Sequence, residues 1–134
     1  MLRSSGLTTS LSAPRVHDLP ASLRLSSPFP FVGRSAELER LRTLMAAATS
    51  EGRRVALLGG EPGAGKSRLV REFARGAAQD GALVLYGACD AVVQTPYGPF
   101  AQALEHLARV IDPVEMRAAL GGSGGELTRL LPVA

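Results

Sequence analysis

The stretch GGEPGAGKSRL, residues 59–69, limits what this chain can fold into more than any other. It sets four glycines and a proline between the apolar run RVALLG (54–59) and a segment in which Leu69, Val70, Phe73, Ala74 and Ala77 recur at helical spacing. A short apolar run closed by glycine reads as a buried strand, and a 3.6-residue period reads as a helix with one face turned inward. The pattern therefore predicts strand, tight loop and helix in immediate succession. Lys66, the single lysine among 15 basic residues, stands where that helix begins. Every other cation is an arginine, so the exception needs a chemical reason.

Gly60, Glu61, Pro62, Gly63, Ala64, Gly65, Lys66 and Ser67 satisfy G-x-x-x-x-G-K-[ST] in full. In that pattern the glycines let the backbone wrap an anion without Cβ clashes, with N–H groups facing inward. The following helix adds its N-terminal dipole and unpaired amides. Lysine supplies a compact charge on a flexible stem, which follows β- and γ-phosphates better than the broad planar fork of arginine. A serine hydroxyl is a hard oxygen ligand suited to Mg²⁺. The spacing thus predicts a Walker A phosphate loop for ATP and Mg²⁺, with Gly60–Ser67 and the adjoining Arg68 as nucleotide-binding residues and Ser67 as the metal ligand. GTP has no support, because an Asn/Thr-Lys-x-Asp guanine motif needs a second lysine.

Composition removes several other functions. The net charge of +3 is accounted for by residues 1–34, which hold four arginines and only Asp18; the remainder is balanced, so no basic face for nucleic acid is expected. Cys89 is the single cysteine, which excludes a disulfide framework and reads as a small buried residue. No apolar run reaches the ~18 residues of a membrane span, and the N-terminus lacks the apolar core of a secretory signal. The expected location is cytoplasmic.

Residues 1–28 are rich in Ser and Pro without periodicity and are expected to form a disordered tail or linker, with a domain over 29–134. After FPFVGR (29–34), Ser35 is placed to cap a helix bearing Leu38, Leu41, Leu44 and Met45 on one face and ending at Glu51-Gly52. ALVLYG (82–87) reads as a second buried strand. Pro99 opens a helix with Phe100, Leu104, Leu107 and Ile111 on one stripe, which leaves His106 on the solvent side. Asp112 and Glu115 frame Pro113 with capping-box spacing at the start of a short helix. Hydrolysis calls for a carboxylate ending a second strand. Asp90 is the single candidate, and Gly87-Ala88-Cys89 interrupt the apolar run that should lead to it.

PFVGRSAELERL, GEPGAGKSRLVREFA and GACDAVVQTPYGPFAQAL, in that order, resemble the start of the AAA-type ATP-binding module of STAND-class bacterial signalling ATPases. Such modules occur in large LuxR-type transcriptional regulators and in cyclase-linked regulators. The resemblance covers roughly residues 29–131. It implies an α/β fold, the three-layer P-loop NTPase type, in an incomplete form with the first two strands and their flanking helices only. It also implies that Val32, Gly33 and Arg34 lie against adenine. The family sheet order is 5-1-4-3-2, so the two strands read here would not be neighbours, and a Walker B strand, a sensor strand and C-terminal output domains belong to the family beyond these motifs. On this reading the chain is the N-terminal part of a regulatory ATPase, inactive by itself, whose partners are ATP and those C-terminal domains. A small P-loop kinase acting on a metabolite and a non-catalytic interaction fragment are the alternatives. Truncation separates the base contact from the tail: loss of residues 1–28 should spare nucleotide affinity and loss of 1–36 should weaken it.

Overall fold

One helix, α3 (Lys66–Gln79), organises the first half of the molecule. It belongs to a computed structural model that describes residues 18–89 and 96–121, with α1 (Ala21–Arg24), α2 (Ser35–Glu51), α4 (Gly98–Val110) and α5 (Pro113–Leu120) as its other helices. Asp90, His17 and the segment from residue 122 onward lie outside the described residues. The chain divides after Val84 into two compact units, one holding α1 to α3 and the other α4 and α5.

α3 begins at Lys66 because Gly65 enters in the left-handed region (φ 80°), a conformation that costs an L residue ~1–2 kcal/mol and glycine little. It stops where Asp80-Gly81 predicts. The Gly81 N–H donates to Ala78 O at 3.1 Å and the Ala82 N–H to Ala77 O at 2.9 Å, the paired bonds of a Schellman motif. Leu69, only 2 % exposed, and Ala74, Ala77 and Ala78 form its buried face. The three alanines let neighbouring backbones come close, and α1 and α2 both pack on α3. Burying a leucine such as Leu69 contributes ~1.5–3 kcal/mol.

Residues 18–28, which their composition places in the tail, carry α1 and two buried leucines, Leu19 and Leu23. Their i, i+4 spacing puts both on one side of the turn. The Arg24 Nε donates to Leu19 O at 2.5 Å, and the Arg71 Nε of α3 donates to Ser22 O at 3.2 Å. Two apolar anchors and a cross-helix bond hold this segment on α3. In α2 the predicted face is half-buried at Leu38, Leu41, Leu44 and Met45, and Gly52 ends the helix at φ 94°. Ser35 is the first helical residue rather than the cap; Arg34 occupies the cap position.

The expected α/β three-layer fold is not what the chain shows: no strand occurs among the described residues. RVALLG and ALVLYG have no regular secondary structure. Val55 is 84 % exposed and Leu57 92 % exposed, so the run predicted to be a buried strand faces solvent. A strand exists only through ladder bonds to a neighbour. The apolar run records a demand for burial but does not supply the partner. The sheet order implied by the resemblance already set these two segments apart, and neither finds another ladder partner among the described residues.

In the second unit Pro99 opens α4 as predicted, behind Tyr97 in a left-handed conformation (φ 59°). The Gln102 side-chain amide brackets Ala88, with Ala88 N–H donating to its Oε1 at 3.1 Å and its Nε2 donating to Ala88 O at 3.4 Å. This amide is as near as residues 82–88 come to a ladder. Gly87 is required there, because a Cβ would sit 2.0 Å from the Pro99 carbonyl oxygen. Two expectations fail in this unit. His106 is buried at 7 % exposure rather than solvated, while Phe100 of the expected stripe is exposed. The helix is rotated relative to the stripe drawn from Phe100. Cys89 is exposed rather than buried. At α5 the cap is as read, with Asp112 Oδ1 accepting the Val114 N–H at 2.7 Å.

Candidate functional site

Residues 60–67 form a loop wound onto the N-terminus of α3. Gly63 (φ 81°) and Gly65 (φ 80°) both take left-handed conformations, which turn the chain twice within three residues. The Ala64 N–H donates to Glu61 O at 3.2 Å and closes the first turn. The Leu69 N–H donates to Gly65 O at 3.0 Å and opens the helix. The N–H groups of Lys66, Ser67 and Arg68 precede that first helical bond, so α3 presents a cluster of unsatisfied donors at its positive end.

The Lys66 ammonium folds back over the loop. Its Nζ donates to Gly60 O and to Glu61 O, both at 2.7 Å. One cation therefore draws two loop carbonyls together and leaves the opposite edge of the loop to N–H groups. An open pocket of about 280 Å³ adjoins it, lined by Gly63, Gly65, Lys66, Ser67, Arg68 and Arg71. Three of those six residues are cations and none is a carboxylate. Such a lining suits a polyanion, and its size falls near the lower end of the ~300–1,000 Å³ of small-molecule sites.

The segment before α2 meets this loop through arginines. Arg34 Nη2 donates to Ala64 O at 2.5 Å across 30 residues of sequence, and its Nη1 reaches Glu37 Oε1 at 3.0 Å. From α3, Arg68 donates to Phe29 O and places its guanidinium 5.7 Å from the Phe31 ring centroid. Arg68 Nε is buried with no acceptor among the described residues. Arg34 thus joins the loop, whereas Val32 is 75 % exposed and Gly33 turns the chain at φ 77°. The surprise is what the arginines touch. Arg68, expected to bind nucleotide, lines the pocket and also fastens the FPF segment, a contact that local spacing could not have disclosed.

The lining fits the group the loop pattern implies. Unsatisfied N–H donors, Lys66 and two arginines are complementary to phosphate oxygens, and Ser67 offers one hydroxyl to a hard cation. Among the described residues no cluster of three or more acidic, histidine or cysteine side chains could hold a metal alone. A cation here would take its other ligands from phosphate and water, as Mg²⁺ commonly does. No helix among the described residues is long and apolar enough to cross a membrane.

Comparison with known proteins matches residues 30–132 to the family described as AAA ATPase domain. No curated protein and no solved structure matches the chain. The matched span includes FVGR, the glycine loop, α3 and the helices beyond it, and it carries nucleotide binding, usually with Mg²⁺, as the family's shared property. With that span covering most of its length, this chain belongs to the AAA ATPase domain family.

Proposed function

We propose that the chain binds Mg-ATP through Gly60–Ser67 and serves as the ATP-binding part of a regulatory ATPase of the STAND type, in a signalling protein or transcriptional regulator. One observation carries the reading: two left-handed glycines deliver the chain into the N-terminus of α3 while Lys66 closes over the loop's own carbonyls. That geometry gathers backbone donors and one mobile charge at a single point, as polyphosphate recognition requires. Lys66 Nζ would transfer from the two carbonyls to phosphate oxygens, and Ser67 would hold Mg²⁺. ATP bound here supplies a charged polyphosphate and its cleavable terminal bond; the residues of this chain bind and orient it.

The regulatory half of the proposal rests on the FVGR and PYGPF motifs and on the make-up of the pocket. A regulator keeps its nucleotide as a record of state, whereas a metabolic kinase must turn it over. Among the described residues that line the pocket, none is a carboxylate able to orient water or accept a proton. The output would be read by C-terminal domains of the kind found in this family. Calorimetric titration of the chain with Mg-ATP, Mg-GTP and AMP tests the binding reading. Saturable binding of Mg-ATP, with AMP at least tenfold weaker, is expected. Equal affinity for AMP and Mg-ATP would show that the loop does not read the phosphate chain.

A further inference from the structure

The peptide group between Ala64 and Gly65 is held in the loop by one side chain from outside it. On its near side the Ala64 N–H is tied to Glu61 O at 3.2 Å, and beyond it Gly65 O is tied to the Leu69 N–H at 3.0 Å. The carbonyls of Gly60 and Glu61 are held by Lys66. Among the described residues the Ala64–Gly65 peptide has a single fastening, the Arg34 guanidinium on the Ala64 carbonyl. Gly65 follows this peptide and Gly63 lies just before Ala64, both in left-handed conformations. The peptide turns about Ala64 ψ and Gly65 φ, and glycine populates positive and negative φ about equally, so the Gly65 side offers little resistance to its rotation. Rotation would turn the Ala64 oxygen, a negative dipole end, to the side that the Gly65 N–H now faces.

A trans peptide is planar, with its C=O and N–H pointing in opposite directions. Holding the oxygen therefore aims the hydrogen. We propose that Arg34 is a positioning residue of the phosphate loop: by gripping Ala64 O it keeps the Gly65 N–H turned away from itself, as a donor to a phosphate oxygen. Glu37 completes the device. It lies in the first turn of α2 and accepts from the other guanidinium nitrogen at 3.0 Å, so the fork is held at both ends. A lysine, a point charge without the planar fork, would fix the two acceptors less rigidly. The role rests on the phosphate-loop reading above and differs from the base contact expected of residues 32–34, since the guanidinium is already committed to the loop. Once Lys66 moves onto an anion and releases its own two carbonyls, Arg34 is the side chain still bracing the loop from behind.

The test uses the full chain labelled with ¹⁵N, titrated with Mg-ATP and read at the Gly65 amide, with calorimetry in parallel. In wild type, saturation should move the Gly65 proton downfield as its N–H meets an oxygen. Arg34→Ala should weaken Mg-ATP binding about tenfold or more, the scale of one charge-assisted hydrogen bond. At saturation it should still lack the Gly65 shift. Arg34→Lys should recover part of both, and free guanidinium ion added to Arg34→Ala should do the same. Should Arg34→Ala fail to fold, Glu37→Gln is the second variant, with a smaller loss of the Gly65 shift expected. Wild-type affinity and a wild-type Gly65 shift in Arg34→Ala, or in a folded Glu37→Gln where Arg34→Ala is lost, would overturn the proposal while leaving the phosphate loop intact. A wild-type chain that binds no Mg-ATP, its Gly65 amide unmoved, would overturn the loop reading and this proposal together.

Discussion

Replacing Lys66 with alanine removes a charge whose position in the structure allows its effect to be worked out. In the structure the ammonium makes two 2.7 Å bonds, to Gly60 O and Glu61 O. Phosphate binding exchanges these for bonds to oxygens that carry full negative charge. The gain is the difference between the two sets, not the whole of the second. A hydrogen bond to a charged group contributes ~1.5–3 kcal/mol and a neutral one ~0.5–1.5 kcal/mol. The existing bonds already have a charged donor, so the exchange itself yields ~1 kcal/mol per bond at most. The third ammonium donor has no acceptor among the described residues, and its new bond adds ~1.5–3 kcal/mol. The total of ~1.5–5 kcal/mol is a loss of roughly 10- to 4,000-fold in affinity, since each 1.4 kcal/mol is tenfold. Calorimetry of wild type and Lys66→Ala with Mg-ATP at fixed salt measures it directly. Lys66→Arg should recover little, because a broad planar fork replaces a compact point charge on a flexible stem. Equal Mg-ATP affinity in wild type and Lys66→Ala would refute the reasoning, including the claim that the loop is a phosphate site.

The other expectations concern the loop's backbone, the α1 segment and turnover. Gly65→Ala forces a Cβ into a φ of 80° and should cost ~1–2 kcal/mol, seen as a lower thermal midpoint and weaker Mg-ATP binding; an unchanged midpoint would mean the left-handed N-cap is absent in solution. Leu23→Ala, at a buried site on α1, should cost ~2–5 kcal/mol, or the whole transition if the fold is marginal. The same contact alters the truncation expectation. Removing residues 1–28 strips Leu19, Leu23 and the Ser22 carbonyl from α3, so it should destabilise the fold by heat or urea; equal midpoints before and after truncation would show that α1 does not hold. Phosphate release at saturating Mg-ATP should stay below ~1 per minute, against a typical enzyme near 10 per second. Faster release that vanishes in Lys66→Ala would make Asp90 the first carboxylate to replace with asparagine.

What could be read in advance followed from chemistry confined to a few consecutive residues. Gly63 and Gly65 are glycines because the chain there runs at φ 81° and 80°, and the start of α3 at Lys66 and its end at Asp80-Gly81 follow from local caps. The Asp112 cap and the Pro99 helix start are equally local. Failures begin where an outcome depends on a distant partner. RVALLG has the composition of a buried strand, but exposure of Val55 and Leu57 depends on which chain segment lies alongside, and six residues carry no such information. His106 was misplaced for a related reason: the helical wheel was anchored on Phe100, whose first-turn position leaves it exposed, and the error propagated down α4. Leu19 and Leu23 did carry a signal, an i, i+4 pair spanning Pro20, but the surrounding Ser and Pro outweighed it. Arg34 marks the boundary most sharply. Its type and place in FVGR stood out, yet its bond spans 30 residues to Ala64, and only folding brings the two together. A motif thus tells which residues meet the ligand through local geometry. A residue that holds that geometry from elsewhere in the chain, as Arg34 does, becomes visible only once the chain is folded.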